Sequence, residues 1–270
     1  MARMIRAAEA ALALMLLAAP AGAVCRPMAH DGQDYTICEA GPGDDLRLFL
    51  TAPDGLPYGT FERVAAALAT EGRTLAFAMN AGMFHPDRSP VGLYVENGQE
   101  LARLVTRAGP GNFGMLPNGV FCILADGYAV IESRAYAAAP PDCRHATQSG
   151  PMLVIGGALH PRFLPDSTSR FYRNGVGVSP DGSRAYFAIS ATPVTFHEFA
   201  RLFRDGLGVR DALYLDGKVS RLHAPGLGRS DIGFPMGPIV GLVVADDRGL
   251  PDLRQLRPFE MRLSRRGPGG

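Results

Sequence analysis

Apolar positions along this chain fall into two kinds of segment: stripes at helical spacing, and short runs closed by turn residues. Over 60–72, Thr60 is placed to cap a helix, Phe61, Val64, Ala65 and Leu68 share one face, and Gly72 ends it. A second helix is expected from Thr195, where Glu198 three residues later completes a capping box. Its apolar face is Phe196, Phe199, Ala200 and Phe203, with Leu207 a turn further on. Each helix leads into an apolar run, 74–79 and 212–215, and each run ends in a polar residue followed by small ones: Asn80-Ala81-Gly82 and Asp216-Gly217. Thr60 precedes Asn80 by 20 residues and Thr195 precedes Asp216 by 21. Buried strands that follow helices tend to place ligand groups just beyond their carboxyl ends, so Asn80 and Asp216 are expected to converge on one crevice. The plainer alternative is a chance likeness between two helix–strand units.

Between these units the pattern is one of hairpins. Runs at 92–95, 120–124, 152–155 and 176–179 lead into Asn97-Gly98, Asp126-Gly127, Gly156-Gly157 and Asp181-Gly182, with return runs at 128–132 and 185–190. Such pairs signal tight turns because both residues accept positive φ. A last core strand is expected at 239–244, and no linker divides 44–244. The fold class predicted is α+β, a single domain with a mixed or mainly antiparallel sheet and two main helices packed against it.

The first residues change the picture of the chain's ends. Arg3 and Arg6, an apolar run over 7–18 and Ala21-Gly22-Ala23 make the three parts of a secretory signal peptide. The expected organisation is therefore a leader at 1–23, one domain at 24–250 and a frayed tail at 251–270. The expected location is exported, periplasmic or secreted, with no stable membrane span once the leader is removed. The full chain has 27 basic and 26 acidic side chains, and losing Arg3, Arg6 and Glu9 leaves the two signs equal. No basic excess points to nucleic acid. Cys25, Cys38, Cys122 and Cys143 all lie beyond the leader, none in a C-x-x-C, so two structural disulfides are expected. Proximity favours Cys25–Cys38 and Cys122–Cys143 among the three possible pairings. Oligomeric state is not legible.

Candidate chemistry gathers in five places. Asn80-Ala81-Gly82-Met83-Phe84-His85 offers an amide and a small-residue backbone that a ligand can approach, or else simply a tight turn. Ser149-Gly150-Pro151 lacks the Gly-x-Ser-x-Gly setting of a nucleophile elbow, so Ser149 is read as a positioning hydroxyl. Arg170 and Arg173, beside Asn174, suit an anionic substrate through forked guanidinium donors. Asp216, directly after an apolar run, is the leading candidate for a reacting or orienting carboxylate, since burying an unpaired one is costly. Glu198 reads first as the capping acid and second as a functional one. His85, His160 and His223 are scattered, so no cofactor and no chelated transition metal is expected; a weakly held, oxygen-coordinated divalent cation stays open.

Taken in order, these motifs resemble the phosphodiester glycosidase family, in its small exported bacterial branch, over about 35–244. Asn80-Ala81-Gly82-Met83-Phe84 is similar to the family's Asn-Gly/Ala-Gly-aromatic signature, and Ser149-Gly150-Pro151 to its Ser-Gly turn. Arg173-Asn174-Gly175-Val176-Gly177 is similar to its arginine-led strand, and Leu215-Asp216-Gly217 with Ser220 to its Leu-Asp-Gly-Gly-x-Ser motif. Lys218 departs from that pattern, standing where many members have a second glycine. The resemblance implies hydrolysis between a sugar's anomeric carbon and a phosphodiester oxygen, on a sugar-phosphate-containing glycan or small molecule. It implies Asp216 and Glu198 as catalytic acids. It further implies Asn80, Gly82, His85, Ser149, Gly150, Arg170, Arg173, Asn174, Gly217 and Ser220 as substrate contacts. A non-catalytic glycan-binding protein using the same crevice, and hydrolysis of another phosphodiester without sugar specificity, are the competing readings.

Overall fold

Short apolar runs separated by Gly-containing turns pair here both with close neighbours and with strands distant in sequence. The computed structural model describes residues 24–246 apart from Lys218. The expected leader, the tail at 251–270 and the character of Lys218 lie outside the described residues. Every strand pairing among the described residues is antiparallel, in three sheets.

The seven-stranded sheet runs in the order Cys25–His30, Gln33–Ala40, Ala185–Ser190, Asn174–Val178, Asp211–Asp216, Met152–Ile155, Ala158–Leu159. A five-stranded sheet, here the Asn80 sheet, runs Arg229–Ser230, Leu222–Ala224, Arg73–Asn80, Ile239–Ala245, Asp45–Phe49. The other, the Ser149 sheet, runs Gln99–Ala102, Tyr94–Glu96, His145–Ser149, Gly119–Ile123, Tyr128–Glu132. Phe187 of the seven-stranded sheet joins all three: its ring centroid lies 5.4 Å from that of Phe77 in the Asn80 sheet and 5.5 Å from that of Phe121 in the Ser149 sheet. The three inner faces thus share one core, the α+β arrangement expected.

Both expected helices form. Phe61–Ala69 is capped by Thr60, whose hydroxyl accepts from Arg63 N–H at 3.3 Å, and it buries Phe61, Val64 and Leu68 against the Asn80 sheet beside Leu75 and Ile239. Phe196–Arg201 shows the full Thr195/Glu198 capping box and lays Phe199 and Ala200 on the seven-stranded sheet. It then widens into a π-turn, Leu202–Gly206, in which Leu207 N–H donates to Leu202 O at 2.9 Å. That widening, the strand Asp45–Phe49 and the short helix Ser133–Ala138 were not foreseen, each being too short to show a period. The hairpin Cys25–His30/Gln33–Ala40 turns at Asp31-Gly32, an Asp-Gly signal of the kind read elsewhere.

Cys25–Cys38 bridges directly opposed residues of that hairpin, and Cys122–Cys143 pins the segment preceding His145–Ser149 to the neighbouring strand. Both pairings are those that proximity favours. No helix among the described residues is long and apolar enough to cross a membrane. The strands ending at Asn80 and Asp216 do bring their ends together, as expected. They belong to different antiparallel sheets, and what brings their ends together is sheet-on-sheet packing.

Candidate functional site

Asn174, first residue of its strand, joins the two strand ends. Its Nδ2 donates to Asn80 Oδ1 at 2.5 Å, and its Oδ1 accepts from Asp216 N–H at 2.9 Å. Asn80 Oδ1 accepts a second hydrogen bond from Arg221 N–H at 3.0 Å. A bulge between Asn174 and Gly175 makes this possible, because it shifts the ladder so that Asn174 faces Asp216 while Gly175 faces Tyr214. All three residues are buried. Side-chain amides suit such a junction, since each carries both a donor and an acceptor.

The Ser149 sheet holds the same junction from a third side. Ser149 Oγ donates to Leu215 O at 2.8 Å and Thr147 Oγ1 donates to Ala81 O at 2.7 Å. Gly82, at φ 146°, lies against Thr147: a Cβ there would stand 3.0 Å from Thr147 Oγ1, a tight approach on top of a backbone geometry that favours glycine. Gly150 follows Ser149 and packs on Asn118, also without room for a Cβ. Beyond Asp216, Ser220 Oγ donates to Asp216 O at 2.8 Å and so closes the turn that starts with Gly217.

Asp216 is 8% exposed, and its Oδ1 accepts from Gly217 N–H at 2.6 Å. It borders two cavities. One, of about 320 Å³, is lined by Met83, Asn112, Phe171, Tyr214, Asp216 and Gly217. The other, of about 430 Å³, shares Met83 and Asp216 and continues past Phe84, His85, Arg88, Val219 and Phe234. Gly217 admits the Tyr214 hydroxyl, which occupies the space a Cβ would take. Burial pushes the Tyr214 phenol well up against the opposing pull of Arg173, so it stays protonated and can donate.

Arg173 is 1% exposed. Its guanidinium carbon stands 3.6 Å from the Phe196 ring centroid and 5.5 Å from those of Phe171 and Tyr214. Nε donates to Val194 O at 2.8 Å and Nη2 to Ser169 O at 3.1 Å, while buried Nη1 meets no acceptor in hydrogen-bond geometry. Burial lowers its pKa, with Tyr214 and Glu198 opposing, but a guanidinium remains charged in any case. Its positive charge therefore stands directly behind the aromatic wall of the smaller cavity.

Arg170 and Glu198 face each other instead. Arg170 Nη2 donates to Glu198 Oε1 at 2.7 Å and Nη1 to Oε2 at 3.0 Å, and Thr195 N–H donates to Oε2 at 2.8 Å. Burial works to raise the Glu198 pKa, but the Thr195 N–H and Arg170 outweigh it and hold the carboxyl below its ordinary range. Neither residue lines the Asp216 cavities.

The structure thus brings Asn80, Gly82, Ser149, Gly150, Asn174, Asp216, Gly217 and Ser220 into one junction. It places His85 along the larger cavity, Arg173 behind the smaller one, and Arg170 with Glu198 in a pair of their own. Sequence reading missed Asn112, Phe171, Tyr214 and Arg88. Tyr214 and Phe171 lie inside motifs already singled out, so their proximity was a usable signal; Asn112 sits in a loop with none. No group of three or more His, Cys, Asp or Glu able to hold a metal occurs among the described residues.

Comparison with known proteins adds a second line of evidence. The family description "phosphodiester glycosidase" matches residues 73–222, which span the first strand end through the turn after Asp216. The uncharacterized protein YigE of Escherichia coli K12 is 32% identical over 204 residues, covering 76% of this chain and 78% of YigE. Among solved structures, the catalytic domain of zebrafish N-acetylglucosamine-1-phosphodiester alpha-N-acetylglucosaminidase, auto-inhibited by pro-peptide, is similar. The TM-score is 0.53 and the identity 14%, over 81% of each chain, a likeness of fold.

Proposed function

We propose a hydrolytic function from one premise: this chain belongs to the phosphodiester glycosidase family. The reaction assigned is hydrolysis of the bond between a sugar's anomeric carbon and a phosphodiester oxygen, on glycan or sugar-phosphate material outside the cytoplasm. Water adds to the anomeric carbon, the carbon–oxygen bond breaks, and a phosphomonoester leaves with the bonding pair. The observation that carries this reading is the position of Asp216, an oriented carboxylate between two cavities. A glycosyl phosphodiester has two parts to seat, one on each side of the scissile bond. The name of the similar zebrafish enzyme points to the same bond class.

The chemistry asks little of a general acid, because a phosphomonoester is already a good leaving group. Asp216 takes the proton of the attacking water or stabilises positive charge on the ring as the bond opens. Asn112, Phe171 and the protonated Tyr214 line the sugar side, with ring faces for C–H contact and polar groups for hydroxyls. Arg173 supplies positive charge through the low-dielectric wall, and Arg88 with His85 lines the phosphate side. Asn80, Asn174, Ser149 and Ser220 hold Asp216 in place. Glu198 and Arg170 hold the helix start over Arg173 and are given no part at the reacting bond. The scheme requires no cofactor. Two disulfides support an exported, oxidising location.

The test is release of sugar from a panel of sugar-1-phosphodiesters by the mature protein and by Asp216→Asn. Release by wild type and its loss in the variant is expected. Glycan binding without release, unchanged in Asp216→Asn, would instead identify a glycan-binding protein.

A further inference from the structure

The larger cavity has a mainly apolar lining. Phe84, Val91, Val219, Phe234 and Pro235 make half of it, and its polar side chains, Arg88, His85 and Asp216, lie at the end shared with the smaller cavity or beside Phe84. The Arg88 guanidinium stands 5.3 Å from the Phe84 ring centroid. Asp87, the neighbouring acid, is turned to the Ser89 hydroxyl at 2.6 Å. An amphipathic ligand matches this layout, its anionic head at Arg88 and its apolar part running toward Phe234.

The rim continues the apolar surface outward. Ile232 is 91% exposed and Phe234 82%, the two most exposed large apolar side chains among the described residues. Exposed apolar residues scattered singly need no explanation, but two on one tip at the mouth of an apolar groove do. Nor is the tip a loose loop. The Asp231 carboxylate accepts from Leu222 N–H at 3.0 Å and from Arg229 Nη2 at 2.7 Å. Gly233 packs on the Arg221 guanidinium, Gly237 packs on Phe84, and Met236 N–H donates to Gly59 O at 2.7 Å. The base is held while two apolar side chains are presented to the outside.

We infer that the larger cavity is an aglycone subsite for an apolar chain, so that the substrate is a sugar phosphodiester of a lipid, met with the Ile232–Phe234 tip against the lipid phase. This rests on the hydrolytic reading above and narrows its substrate class. Transfer of methylene groups from water into such a groove is the driving term.

The experiment is calorimetric titration of the mature protein with methyl phosphate and with n-dodecyl phosphate, the latter below its micellar concentration. Dodecyl phosphate is expected to bind about tenfold or more tightly than methyl phosphate. Phe234→Ser, on an exposed side chain that folding does not need, should narrow that gap at least about threefold and leave methyl phosphate unchanged. Leu56→Ser, an exposed apolar residue elsewhere, should leave both unchanged. Equal affinity for the two phosphates overturns the inference, as does a Phe234→Ser effect that is only the dissociation of a dimer by gel filtration. Chain-length-dependent binding with no hydrolysis of any sugar-1-phosphodiester would sink the hydrolytic reading instead. Hydrolysis of methyl and dodecyl aglycones with equal kcat/KM, alongside equal binding, would sink the lipid subsite alone.

Discussion

The end of the strand Asp211–Asp216 and the start of the helix Phe196–Arg201 each carry a carboxylate within one stretch of chain, yet the two are employed differently. The Asp216 carboxylate accepts from Gly217 N–H and borders two cavities. Glu198 receives Thr195 N–H and both terminal nitrogens of Arg170. A capping carboxylate at an N-terminus already fulfils a structural requirement of the helix, whose first N–H groups lack intrahelical acceptors. A strand end has no such requirement, so an acid there is open to another role. The difference lies in the backbone context of each acid more than in its burial.

The largest expected effect separates the two carboxylates directly. Asp216→Asn should lower kcat for sugar release by roughly 10²- to 10⁴-fold, the range for losing a positioned acid–base group. Glu198→Gln should leave kcat within about threefold of wild type, because its carboxylate touches the helix start and Arg170. Steady-state kinetics on one sugar-1-phosphodiester reads both, and equal losses would erase the distinction drawn between them.

Next comes the junction that orients Asp216. Asn174→Ala removes the donor to Asn80 Oδ1 and the acceptor of Asp216 N–H. Leaving buried polar groups unpaired should destabilise the fold by about 2–4 kcal/mol, measured as a shift of the urea midpoint at constant slope. A shift below about 0.5 kcal/mol would mean that the sheets hold the strand ends together without the amide.

The smallest effect is on stability at the helix start. Glu198→Gln should cost about 0.5–1.5 kcal/mol near neutral pH, kept modest by the exposure of Arg170. The folded-state pKa of Glu198 is depressed, so its stabilisation is present above its unfolded value and lost as pH falls through the folded one. The difference in Tm between wild type and variant should therefore shrink below about pH 4, and a difference that widens on acidification would contradict the pairing.

Much of the fold was legible because it is local. The Thr195/Glu198 box lies within one turn of helix, and the Asp126-Gly127 and Asp181-Gly182 signals act on adjacent residues. The reading that Asn80 and Asp216 would meet reached the right neighbourhood by a rule for a different sheet type. Arg173 is expected to face substrate from its residue type, its place at a strand start and the resemblance of that strand to the family's. Its burial under Phe196 depends on how the second helix crosses the seven-stranded sheet, which no local pattern encodes. Phe171, between Arg170 and Arg173, and Tyr214, inside the run 212–215, carry no local signal of lining a cavity beyond their place beside candidate residues.

From the chain alone come its turns, its helix caps, the pairing of cysteines close in sequence, and the candidate residues carried by each motif. Those features depend on backbone preferences and hydrogen bonds a few residues long. Tertiary structure decided which candidates meet: Asn174 reaches Asn80 across 94 residues and Asp216 across 42. It also decided that Arg170 would pair with Glu198, and that two cavities would share Asp216. The Asn174–Asp216 contact follows from pairing of neighbouring strands in one sheet, whereas the Asn174–Asn80 contact exists only once the sheets have packed on a common core, because packing sets where the strand ends lie.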